Sequence, residues 1–176
     1  MHKDNLPQKV DPFRFAESAS SLHGSIPLKN MERLTESLAS TEGEVNVDIV
    51  FGIDEQGIRF IKGRLSAQTV MQCQRCLSPF DYEIITDFAF GMVHTEIDAD
   101  KLPESYDPVV IENDELFISE LIEGELIVAL PLVAMHDPKD CNVKLPIESA
   151  LGMMPEVENE SPFKVIESLR SKRNTK

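Results

Sequence analysis

The chain has 176 residues, is 41% hydrophobic and carries a net charge of −14. That much apolar matter in one chain of this length fits a single domain with a core of its own, and excludes wholesale disorder. Three cysteines, an odd number, exclude a disulfide framework, and no apolar run reaches the roughly 20 residues that span a bilayer.

In chain order, Met1-His2-Lys3-Asp4-Asn5 leads to no apolar signal core, so a cytoplasmic location is expected. Residues 1–40 read as mixed or helical. Asp11 can cap and Pro12 suits a first helical position, ahead of Phe13, Phe15, Ala16 and Ala19. A second helix is predicted from Lys29, where Met31, Leu34, Leu38 and Ala39 recur at helical spacing. The period then switches to two. Val45, Val47, Ile49, Phe51 and Ile53 alternate with mostly polar neighbours, the mark of a half-buried strand. Asp54-Glu55-Gln56-Gly57 makes a turn, with Gly57 free to take positive φ.

A second strand follows from Ile58, with a bulge expected at Lys62-Gly63-Arg64, and Leu65, Ala67, Thr69, Met71 and Cys73 on one face. Phe80, Tyr82, Ile84, Thr86, Phe88, Phe90 and Met92 mark a third strand, antiparallel to the second because the connection is short. Thr95 to Asp107 reads as an acidic loop and Val109-Val110-Ile111 as a short strand. Asn113 or Asp114 is the expected cap of a helix to about Leu130, stopped by Pro131. The expected fold class is α+β: a twisted antiparallel sheet, open or barrel-like, with the Glu115 to Leu130 helix covering one face. The division expected is one domain over 1–145, a flexible acidic linker over 146–160, and a short C-terminal helix with a basic tail over 161–176.

Cys73 and Cys76 fall at the tip between the second and third strands. Their spacing suits a metal knuckle, a redox pair or a tight turn that contains thiols. A thioredoxin-type pair sits at a helix N-terminus in a βαβ unit, which this context does not offer. Four donors of cysteine and histidine type hold a structural zinc ion; Cys73, Cys76, His136 and Cys141 would make such a set. No Gly-rich phosphate loop, nucleophile elbow or two-histidine motif is present, so no enzyme is expected.

Charge is uneven. Residues 1–163 hold 12 basic and 30 acidic side chains, a net of −18; residues 164–176 hold five basic and one acidic, a net of +4; the two add to −14. An acidic body repels bare phosphate and attracts basic proteins. Arg59, Lys62, Arg64 and Arg75, with Arg170, Lys172 and Arg173 of the tail, are the candidates for contact with RNA or a partner.

Several segments together resemble one family. They are Leu6-Pro7 and Asp11-Pro12, then Cys73-Gln74-Arg75-Cys76, then Glu123, Glu125 and Ala129-Leu130-Pro131. His136-Asp137 with Cys141, and Pro162-Phe163-Lys164-Val165-Ile166-Glu167-Ser168-Leu169, complete the series. The chain resembles the bacterial large ribosomal RNA subunit accumulation proteins, the YceD-like family. The resemblance implies a non-enzymatic role in ribosome biogenesis, in the synthesis, processing or stability of large-subunit (23S) ribosomal RNA. It points to the precursor RNA or its ribonucleoprotein as partner, and the acidic body adds basic large-subunit ribosomal proteins. It brings no catalytic residues. Some members carry a fourth cysteine in the late loop, where this chain has only Cys141, with His136 as the other donor. The alternative is a zinc- or redox-responsive binding module built on Cys73, Cys76 and Cys141.

Overall fold

The structure, a computed structural model, describes residues 6–141. The expected linker over 146–160, the helix over 161–176 and the basic tail lie outside the described residues.

Strand periodicity sets the centre. A five-stranded sheet runs in the order β2 (Ser21–Pro27), β3 (Glu44–Ile53), β4 (Arg59–Gln72), β5 (Pro79–Val93) and β6 (Asp107–Val110). β2 to β5 form an antiparallel meander, and β6 joins β5 in parallel. β2 and β6 do not pair, so the sheet is open and the barrel-like alternative is corrected. A two-stranded ribbon, β1 (Lys9–Val10) with β7 (Leu116–Phe117), stands apart from it.

One sheet face is apolar and covered. Val45, Val47 and Ile49 of β3, Ile61 and Leu65 of β4 and Ile84 of β5 form one core with residues from three helices. These are α1 (Pro12–Glu17), α2 (Glu32–Thr35) and α4 (Ile118–Ala129), which supply Ala16, Leu34, and Ile118, Ile122 and Leu126. Each fully buried Leu or Ile contributes about 1.5–3 kcal/mol. The other face shows Asp48, Val50, Lys62, Arg64, Ile85 and Asp87 to solvent.

Asp11 caps α1 as expected: its Oδ1 accepts from the Arg14 N–H at 3.0 Å. Several expectations are corrected. Residues 21–27 form a strand, and the helix from Lys29 shrinks to a 3₁₀ turn at Leu28–Asn30 and the single turn of α2. No bulge interrupts β4, because Lys62, Gly63 and Arg64 pair in unbroken register on both sides. Gly63 is there for another reason. An added Cβ would lie 2.6 Å from Phe88 Cε1, so the Phe88 ring occupies the space.

Within the acidic loop, Glu96–Ala99 makes a helical turn, α3, capped by Thr95. Asn113 and Asp114 do not cap α4; both take left-handed φ, 54° and 55°, a conformation these two residue types tolerate. They turn the chain into β7, and α4 begins only at Ile118. Its first N–H donates to the Gln8 carbonyl at 3.2 Å, and no side chain caps it.

Candidate metal centre

β4 delivers the first thiol. Leu65, Ala67, Thr69, Met71 and Cys73 lie on its buried face, with Cys73 fully buried. The chain then turns back. The Cys73 N–H donates to the Ser78 carbonyl at 3.0 Å, and the Leu77 N–H to the Cys73 carbonyl at 2.8 Å. Leu77 sits at φ 60°, a conformation costly for a branched side chain and held here by the turn around it.

The loop after α4 brings the second pair of donors. Pro131 ends the helix, and the Gln74 N–H donates to the Ala134 carbonyl at 2.9 Å, pinning the returning strand of chain against the hairpin tip. The His136 ring packs edge-on against Phe80 of β5, with centroids 5.5 Å apart. A turn at residues 137–140, with the Asp140 N–H donating to the Asp137 carbonyl at 3.0 Å, then returns Cys141.

One ligand atom from each of Cys73, Cys76, His136 and Cys141 lies within 4.8 Å of every other. Cys76 Sγ is 3.6 Å from His136 Nε2. A tetrahedral zinc site with bonds of about 2.0–2.3 Å has donors roughly 3.5–3.8 Å apart, so a small contraction would seat an ion.

His136 Nδ1 is buried without a hydrogen-bond partner among the described residues, which an ion held by Nε2 would not relieve. One further observation fits a cation. Burial opposes ionisation of Cys73, yet the backbone N–H groups of Cys76, Arg75 and His136 and the Cys76 side chain hold its thiol down at about 6. The thiolate that these donors favour is the form that ligates metal. The three cysteines are unpaired. The cluster can therefore hold a metal ion.

The candidate basic residues do not form one patch. Arg59 and Arg75 flank opposite ends of β4, whose 14 residues span roughly 45 Å. Arg59 reaches α1, 3.8 Å from Glu17 and over the Phe13 ring. Lys62 stands over the Phe60 and Tyr106 rings, at 4.7 and 5.1 Å. Arg64 lies 3.6 Å from Asp87. Arg75 turns inward: its Nε donates to Cys141 Sγ at 2.9 Å and a terminal N–H to the His136 carbonyl at 3.2 Å. Arg170, Lys172 and Arg173 lie outside the described residues. Charge alone marked Arg75 as a surface cation; its place between two cysteines was the signal for an inward role. Phe80, the wall behind His136, read only as a strand residue.

A family model described as large ribosomal RNA subunit accumulation protein YceD matches residues 61–170. The Haemophilus influenzae protein of that name is 33% identical over 175 residues, covering 98% of this chain and all of that protein. No solved structure matches the chain.

Proposed function

The chain belongs to the large ribosomal RNA subunit accumulation protein YceD family, and on that premise we propose that it is a non-enzymatic, cytoplasmic factor in ribosome biogenesis. It supports the synthesis, processing or stability of 23S ribosomal RNA. Family membership over nearly the full length carries this reading, with the charge in support. A chain of net charge −14 docks basic large-subunit ribosomal proteins more readily than bare RNA. The factor then acts on precursor RNA inside a ribonucleoprotein. Lys62 and Arg64, on the uncovered sheet face, and Arg170, Lys172 and Arg173 are the cations proposed to touch RNA. Arg59 adds to them at the sheet end. Cys73, Cys76, His136 and Cys141 hold a structural zinc ion, which fastens the loop after α4 to the hairpin tip. Among the described residues no helix is long and apolar enough to cross a membrane.

The test is removal of the protein from cells, with the ratio of large- to small-subunit ribosomal RNA as readout and pull-down of the tagged chain beside it. A fallen ratio, with precursor RNA and basic large-subunit proteins recovered, is expected. An unchanged ratio with neither recovered would overturn the proposal. Cutting the salt dependence of recovery separates its forms, since phosphate contacts weaken steeply with salt.

Three free cysteines gathered with His136 in one cluster favour one second reading, a zinc- or redox-responsive module. In that case a Cys73→Ser/Cys76→Ser chain would fold and keep RNA levels normal but lose its response to metal or oxidant.

A further inference from the structure

We infer that Arg75 is a working part of the metal centre: its guanidinium neutralises the charged cluster and fixes Cys141 as the last ligand. The inference rests on the metal reading above and assigns Arg75 a role as a positioning residue.

Charge comes first. Three thiolates, a neutral imidazole and a divalent cation leave one net negative charge. The donors are buried or half-buried, in a protein that is already strongly acidic. An uncompensated charge in such a place is costly. Arg75 is itself half-buried and supplies one positive charge where it is needed. A guanidinium cannot be deprotonated under ordinary conditions, so the compensation does not depend on pH.

Geometry comes second. The fork spends one N–H on Cys141 Sγ at 2.9 Å and another on the His136 carbonyl at 3.2 Å. It thus grips both residues that the late loop contributes. Cys73 and Cys76 are held by the hairpin turn and His136 by Phe80. Among the described residues, the hydrogen bond to the Cys141 thiol from outside the cluster comes from Arg75. The turn that places two thiols therefore also places the donor that positions the third. Groups that hydrogen-bond to metal ligands typically change metal affinity by about 10–100-fold when mutated. Lysine carries the charge but has no planar fork to serve thiolate and carbonyl together.

The full-length chain and its Arg75→Gln, Arg75→Lys and Arg64→Gln variants are compared, untagged. Zinc affinity is read by competition with a chromophoric chelator, and Co²⁺ is used as a spectroscopic substitute. The parent chain and Arg64→Gln should bind one ion with thiolate-to-cobalt charge-transfer absorption. Arg75→Gln should bind on the order of 10–100-fold more weakly, with that band moved to lower energy, because a thiolate freed of a cationic donor gives up electron density more easily. Arg75→Lys should recover only part of both. If Arg75→Gln binds with parental affinity and an unmoved band, Arg75 is a bystander and the inference falls while the metal reading stands. If the parent chain takes up neither Zn²⁺ nor Co²⁺, the metal reading falls and takes this one with it. Should Arg75→Gln fail to fold, Arg75→Lys decides, and parental affinity with an unmoved band in it overturns the inference.

Discussion

Glu123 Oε1 accepts a hydrogen bond from the Leu34 N–H at 3.1 Å, across 89 residues of sequence. α2 is a single turn, Glu32–Thr35, and the residue before it, Met31, offers no side-chain cap. The N–H groups of a first turn have no partner within the helix. Glu123, on α4, supplies the acceptor that a local Ser or Asp would otherwise supply, and so ties α4 to the buried Leu34. Losing a cap costs about 1 kcal/mol. Glu123→Ala should therefore destabilise the protein by about that much in urea unfolding, and Glu123→Gln, which keeps an acceptor oxygen, by clearly less. Equal losses in the two variants would show that the hydrogen bond is not what matters.

The cysteine cluster predicts a metal-dependent stability. Binding that the unfolded chain cannot match raises stability by mass action. Chelator-treated protein should melt at a lower temperature, and added Zn²⁺ should restore the parent curve. Amide exchange should speed up at residues 73–78 and 131–141, the two segments the ion would join, and little in β3 or in the middle of β4. A melting curve indifferent to chelator and to Zn²⁺ counts against any ion there.

Gly63 predicts a packing defect. A Cβ at this position meets the ring of Phe88, which is only 7% exposed, and comes within 3.0 Å of the Asp48 carbonyl oxygen. The ring cannot swing into solvent, so the sheet or the core must give. Overpacking of this kind costs about 1–3 kcal/mol. Gly63→Ala should lose that much stability, and pairing it with Phe88→Leu should cost less than the sum of the two single changes. Strict additivity would mean that the two positions do not compete for one space.

How much of this the sequence showed depended on the range of the interaction. β3, β4 and β5 were legible because Val45, Val47 and Ile49, or Leu65 and Ala67, alternate with polar neighbours over many residues, and period two is a local signal. The hairpin tip and the donor set of Cys73, Cys76, His136 and Cys141 were legible from residue type and spacing. β2 was hidden because Ser21, His23, Gly24 and Ser25 have no strand pattern of their own; pairing with β3 makes the strand. Asn113 and Asp114 suit a cap or a left-handed turn equally well, and the pairing of Val10 with Leu116 decides between them. The place of Arg75 between Cys73 and Cys76 hinted at an inward role, but its partners stand on a loop 61 to 66 residues away, which no local pattern records.

Asp54 predicts an acid limb of stability. It sits in the turn between β3 and β4, where Oδ1 accepts from the Gln56 and Ile58 N–H groups at 2.9 and 2.8 Å, and Oδ2 accepts from the Tyr106 hydroxyl at 3.1 Å. Burial opposes its charged form. The Ile58 N–H, the Tyr106 hydroxyl, the Gln56 N–H and the Lys62 charge outweigh that and hold the carboxyl below its ordinary value. A depressed carboxyl contributes stability that is present above the unfolded value of about 3.9 and is lost as pH falls through the lower folded value. The protein should therefore lose stability below about pH 4, in part through Asp54. Other carboxylates titrate in the same range, so the difference between parent and variant is the informative quantity. Asp54→Asn keeps the shape and the Oδ1 acceptor but cannot titrate; its deficit against the parent should shrink as pH falls from 5 to 3. Tyr106→Phe, which removes one donor, should raise the Asp54 titration point in a carboxyl-detected NMR series. A deficit for Asp54→Asn that is constant across that pH range would mean that Asp54 titrates alike in the folded and unfolded chains.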